Sequence, residues 1–305
     1  MSKQFWIGTA AALVVTIAAA GAGWTFIVKP SRVDAPPLPT YDVVDADGKV
    51  VGKYTIPSDD LIAKEPDAEA IMYGKRLLNE TARLMPDNVG AGLNCNSCHL
   101  AQGKLDKGAP YINSYNFYPR VMPRAGKEVN LVMRINGCFQ RSMNGKPVDP
   151  KSKEMNAMIA YMKWLGQGLP KEHMVKVAGA GPIDETLVPD PVKGKGIYAT
   201  QCAVCHGNDG EGKKDQFGDY IFPPLWGDDS FNIGAGMART YKAAAFVKYN
   251  MPVSVNLNTP VGQGDMLTDQ EAVDVSEYFT HMPRPDFAGK VNDWPNGKKP
   301  KDARY

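Results

Sequence analysis

Cys95-Asn96-Ser97-Cys98-His99 returns later in the chain as Cys202-Ala203-Val204-Cys205-His206. Cys-x-x-Cys-His is the pattern that attaches c-type haem: two thiols so spaced add to the porphyrin vinyl groups while the adjacent histidine reaches the iron. One copy alone would leave a redox dithiol or a zinc half-site open. Two copies, each with its histidine, in a chain whose only other thiol is Cys138, point to two covalently bound haem c groups. His99 and His206 are then the proximal iron ligands.

What surrounds the motifs repeats as well. Ahead of the first, residues 67–83 carry Ala68, Ile71, Met72, Leu77 and Leu78 at helical spacing, and Met85-Pro86 with two glycines breaks the run. After it, a helix is expected over 126–135, ended by Asn136-Gly137 just before Cys138. A third is expected from Asp149 as N-cap, with Pro150 at the first helical position, through Met155, Met158, Ile159 and Met162 to Leu165. The second half has a short helix over 193–201, the second motif, a glycine-rich loop, a helix over 240–249 ended by Asn250-Met251-Pro252, and a last helix opened by a Thr268/Glu271 capping box and running to about His281.

Helix, motif, long loop, helix, sulfur residue, helix therefore occurs twice, and the repeat puts Cys138 where Met251 stands. The expected fold is mainly α: two tandem cytochrome c-like domains over 41–177 and 193–285, each around one haem, joined by a Gly/Pro-rich linker at 178–192. A chain of 305 residues has room for both. Residues 286–305, polar and proline-bearing, read as a surface tail.

Each iron also needs a distal ligand. In the second domain Met251 is the candidate, a methionine followed by proline in the loop before the last helix, with Met237 as its competitor. His281 and His173 read as surface or packing residues. The first domain offers Cys138, Met122, Met133 and Met143. Cys138 as a small buried hydrophobe beside a methionine-ligated iron is the plain alternative. Against it, an unpaired thiol in an oxidising compartment is a liability unless protected or used. Arg134 and Arg141 nearby favour the thiolate, the form that binds metal and attacks sulfur. Cys138 is thus both a metal-ligand and a catalytic candidate.

Lys3 and the uncharged stretch 4–28 read as an export signal within 1–29, either cleaved or kept as a membrane anchor, followed by a proline-rich spacer at 30–40. Either way the protein is expected outside the cytoplasm, in the periplasm. A net charge of +2 and the lack of a long basic run exclude nucleic acid as a partner class. Between Lys104 and Lys146 lie Lys107, Arg120, Arg124, Lys127, Arg134 and Arg141 against only Asp106 and Glu128, whereas the second domain is acidic. That division would draw a small anion to the first haem and a basic electron-transfer partner to the second.

Two such motifs together with Arg-Ile-Asn-Gly-Cys-Phe-Gln-Arg-Ser-Met-Asn-Gly at 134–145 and Asn250-Met251-Pro252 resemble the dihaem c-type thiosulfate dehydrogenase / tetrathionate reductase family. The resemblance implies oxidative coupling of two thiosulfates to tetrathionate, some members running the reverse, with a c-type cytochrome as electron partner. It implies His99 and Cys138 on the active-site haem, His206 and Met251 on the electron-exit haem, and anion-holding roles for Arg124, Arg134 and Ser142. Some members carry a lysine beside that methionine and exchange ligands on reduction. This chain has Asn250, so the resemblance does not extend to lysine ligation. The rivals are a non-enzymatic dihaem carrier of the cytochrome c4 sort and a sulfur-oxidising cytochrome that loads thiosulfate onto a carrier protein.

Overall fold

The computed structural model describes residues 14–17, 24–27, 38–253, 264 and 266–305. The leader or anchor expected over 1–29 and the spacer at 30–40 lie largely outside the described residues. Within Met1–Leu38, one of two compact units, the strands Val14–Ile17 and Trp24–Ile27 pair antiparallel, Val14 opposite Ile27. No helix among the described residues is long and apolar enough to cross a membrane.

The second unit, Pro39–Tyr305, holds both haem motifs and is built twice on one contact. In the first half the Ala68–Asn79 helix packs on the Lys153–Leu165 helix, burying Ile71, Leu77 and Leu78 against Met155, Met158 and Tyr161. The two backbones approach so closely at Gly74 that a Cβ there would lie 2.0 Å from the Ala157 carbonyl oxygen. In the second half the Pro191–Ile197 helix meets the Asp269–Thr280 helix in the same way, and a Cβ on Gly194 would lie 2.0 Å from the Asp274 carbonyl oxygen. Glycine is thus required at the matching crossing in each half. Buried residues of the two halves merge into one apolar core, in which Tyr198, Trp226 and Tyr278 pack ring to ring.

Sheet is minor. Strand Thr40–Val44 pairs antiparallel with Val50–Thr55 on one side and with Met174–Val175 on the other, so the start and end of the first half are sewn together. Asn113 completes the seam, donating from Nδ2 to the Val175 carbonyl at 2.8 Å and accepting from its N–H at 2.9 Å.

Three expectations are corrected. Lys127–Val129 is a strand paired with Arg120–Met122, so the helix expected from 126 begins only at Leu131 and runs on through Asn136-Gly137 to Arg141. The Asn136 amide is not free to end it, because it is spent on Val148: Nδ2 donates to the Val148 carbonyl at 2.9 Å and Oδ1 accepts from its N–H at 2.7 Å. The third helix starts after Ser152, whose hydroxyl caps Met155 N–H at 3.1 Å, while Asp149 instead closes a turn by accepting from Lys151 N–H. Residues 286–305 are no loose surface tail, for Trp294 is buried and Asp293 keeps only 3% of its side chain exposed.

Candidate haem pockets and the cysteine helix

The first motif is held by the turn before it. Cys95–Ser97 forms a 3-10 turn closed by a reciprocal Asn94/Ser97 capping box, and buried Thr81 accepts from Cys95 N–H at 3.0 Å. His99 Nδ1 lies 2.6 Å from the Ala109 carbonyl. A carbonyl can only accept, so the proton sits on Nδ1 and the Nε2 lone pair is left for a metal. Tyr111 stacks on the imidazole with ring centroids 4.2 Å apart, fixing its plane. Burial pulls the His99 pKa down to about 4 against the opposing Ala109 hydrogen bond. Burial also pushes the thiols of Cys95 and Cys98 up to about 12. Both thiols are free, and the side chains of Cys95, Cys98 and His99 are all half-buried. These residues fit a covalently attached haem: two unpaired thiols and, next to them, a histidine in the metal-binding tautomer.

The second motif repeats the arrangement. Cys202 and Cys205 are free, and buried His206 points Nδ1 at the Pro223 carbonyl, 2.9 Å away, again leaving Nε2 for iron. Burial lowers its pKa as well. Met251 ends the Thr240–Asn250 helix, its N–H bonding the Val247 carbonyl at 2.8 Å, and is half-buried against the core. Met237 is half-buried too, in the 3-10 turn Gly236–Ala238. His281 is exposed and bonded to Glu277, and His173 is half-buried.

Cys138 stands inside the Leu131–Arg141 helix, one turn from its end. Asn130 caps that helix by accepting from Met133 N–H at 2.9 Å. Ile135, Phe139 and Met143 are buried on one side, which leaves Arg134, Cys138 and Arg141 on another. Arg134 Nη1 donates to Cys138 Sγ at 3.1 Å. Electrostatic interaction with Cys138 is the chief cause that raises the Arg134 pKa above the ordinary guanidinium value, with Tyr118 adding to it. Arg134 is exposed, and its guanidinium lies close enough to His99 and Tyr111 to act on both electrostatically. Ser142 is the C-cap, its N–H bonding the Cys138 carbonyl. Of the competing methionines, Met143 is core, Met133 is exposed and Met122 lies on the Arg120–Met122 strand.

Arg141 and Arg124 are held from the second half. Arg141 makes a two-pronged pair with Asp293, at 2.9 and 2.8 Å, under the Phe287 ring. Arg124 Nη1 donates to the Gly234 carbonyl at 2.6 Å, its Nε lies 3.8 Å from Asp293, and its guanidinium stacks on Trp294. Burial is the chief cause of its lowered pKa. Tyr305 also donates to Asp293. Buried Asn232 ties the same face together, donating to the Gln140 carbonyl at 2.9 Å and to Asn144 Oδ1 at 3.1 Å. Arg134 is therefore the arginine bonded directly to the sulfur, while Arg124 and Arg141 share Asp293. Sequence reasoning missed Asp293 and Asn232. The available signal was the aromatic content of the last twenty residues, Phe287, Trp294 and Tyr305, unusual for a loose tail.

Residues 87–170 match the SoxA/TsdA cytochrome c domain and 191–283 the cytochrome c domain. The chain is 46% identical over 255 residues to the thiosulfate dehydrogenase of Psychrobacter arcticus, covering 83% of this chain and 76% of that one. It is 38% identical over 243 residues to the thiosulfate dehydrogenase of Allochromatium vinosum, covering 78% and 87%. Among solved structures it is similar to the as-isolated thiosulfate dehydrogenase TsdBA of Marichromatium purpuratum, with a TM-score of 0.66 and 34% identity over 76% of this chain; it spans 50% of that longer chain. Similarity of this depth over most of its length shows that the chain belongs to the thiosulfate dehydrogenase family, two tandem cytochrome c domains carrying two covalently bound haem c groups.

Proposed function

We propose that the protein couples two thiosulfates into tetrathionate at Cys138. The observation that carries this reading is the Arg134 guanidinium 3.1 Å from the Cys138 sulfur and close enough to His99 to act on it electrostatically. A fixed cation beside a sulfur nucleophile suits a small sulfur dianion, whose oxygens a guanidinium fork can grip in pairs. Cys95 and Cys98 would attach the first haem, and His99 and Cys138 would hold its iron. Cys202 and Cys205 would attach the second, with His206 and Met251. When bound, the two haems would supply one-electron redox capacity each, enough for the pair that the coupling releases.

The chain's own residues would act in sequence. Arg134, with Arg124 and Ser142 as further anion contacts, holds a thiosulfate against Cys138. The Cys138 thiolate forms a bond to its outer sulfur, giving Cys–S–S–SO3⁻ with loss of two electrons. The outer sulfur of a second thiosulfate then attacks the outer sulfur of that adduct. Tetrathionate forms, the thiolate is released, and no further electrons are needed. The second haem, when bound, would give the electrons a way out to a c-type cytochrome, and the reverse reduction would use the same steps backwards. Residues 1–29 would direct the protein to the periplasm.

Purified haem-loaded protein, given thiosulfate and a ferric cytochrome c, should consume two thiosulfates and deliver two electrons per tetrathionate formed. A simple carrier of the c4 sort would form no tetrathionate. A cytochrome that loads thiosulfate onto a carrier protein would form none without that carrier. Either result would overturn the reading.

A further inference from the structure

Asn250 is fully buried at the end of the Thr240–Asn250 helix, directly before Met251. Its Nδ2 donates twice: to the Phe246 carbonyl one turn back at 2.8 Å, and across to the Lys107 carbonyl of the first half at 2.9 Å. Its Oδ1 is buried and has no partner among the described residues. An apolar side chain of this size would leave no such oxygen, so the amide is kept for its donors.

The carbonyl it holds belongs to an unusual loop. Ala101, Gln102, Lys107 and Ala109 all have positive φ, at 49°, 61°, 60° and 53°, a conformation that residues with a side chain adopt at a cost. The same loop ends on the Ala109 carbonyl, which fixes the His99 ring. Two further contacts brace it: the Lys107 ammonium over the Tyr249 ring, 4.1 Å from the centroid, and the Ala109 N–H on the Gly179 carbonyl at 2.9 Å. The residues just before Met251 thus grip the loop that orients His99.

We propose that Asn250 is a positioning residue for the first haem: from the segment that carries Met251 it holds the strained 101–109 loop, and so sets the hydrogen bond between His99 Nδ1 and Ala109. This rests on the ligand assignment of His99 and Met251 made under the proposed function. A hydrogen bond from Nδ1–H to a carbonyl makes the imidazole a stronger donor and favours ferric iron. Loosening the loop weakens that bond, so the first haem becomes easier to reduce.

The test is Asn250→Leu in the haem-loaded protein, read by potentiometric titration of each haem and by the low-spin ferric electron paramagnetic resonance signal of the first. The first haem's midpoint should move upward and its signal should shift. Adding Ala109→Gly should bring both partly back, because glycine takes a positive φ without cost. If the leucine variant loads haem incompletely, Asn250→Ala is read by the same criteria. An unchanged midpoint and signal at the first haem, whatever happens at the second, overturns the proposal. Met251→Ala tests the ligand assignment separately: loss of the far-red methionine–iron absorption band supports it. Survival of that band overturns the assignment, while the shift at the first haem still reports on Asn250.

Discussion

Arg134 and Cys138 sit one turn apart on the Leu131–Arg141 helix, joined by a 3.1 Å hydrogen bond from Nη1 to Sγ. The helix itself sets this spacing, so the cation is in place beside the sulfur before any substrate arrives. A charge-assisted hydrogen bond contributes about 1.5–3 kcal/mol. Arg134→Ala should therefore lower kcat/KM for thiosulfate by roughly 10- to 100-fold. Arg134→Lys keeps the charge but loses the fork and should recover only part of it. Steady-state kinetics at fixed ionic strength decide this, and a wild-type kcat/KM in the alanine variant would contradict it.

Asp293 is the counter-ion of Arg141 and neighbours Arg124, with only 3% of its side chain exposed. Removing one partner of a buried pair costs about 3–5 kcal/mol. Arg141 keeps 21% of its side chain open, so the lower end of that range is expected for Asp293→Ala. Denaturant unfolding followed by haem absorbance measures it. A loss below about 1 kcal/mol, the worth of an ordinary surface pair, would mean that the C-terminal strap does not hold these arginines.

Asp59, paired with Lys75 and Lys104, gives the fold an acid-sensitive point. Burial alone would raise its pKa, but hydrogen bonds from Lys104 and from Lys75, the latter at 2.7 Å, bring it below the ordinary value of 3.8. A carboxylate lowered in the folded state stabilises the fold above its unfolded value and stops doing so as pH falls through the folded one. The melting curves of wild type and Asp59→Asn should therefore differ at neutral pH and converge below about pH 4. A gap that stays constant into acid would contradict this.

The haem motifs, the paired-domain plan and the Thr268/Glu271 capping box were legible because each is set by local chemistry at fixed spacing. The helix around Cys138 was not. Asn136-Gly137 reads as a stop signal, and the continuation depends on Val148, twelve residues away, occupying the Asn136 amide. Asp149-Pro150 misled for a similar reason, since Ser152 is the better placed cap. Arg141 looked like a free cation beside the cysteine. Its partner Asp293 lies 152 residues along the chain, beyond any local pattern. The single-residue links Asn250 to Lys107 and Asn232 to Gln140 depend likewise on how the two halves pack.

The central claim is that Cys138 performs the coupling. Cys138→Gly, purified and checked by haem staining and mass to carry both covalent haems, should be assayed for tetrathionate formation from thiosulfate with a ferric cytochrome acceptor. Loss of turnover with both haems retained is the predicted result. Substantial residual turnover in the fully loaded variant would contradict the account.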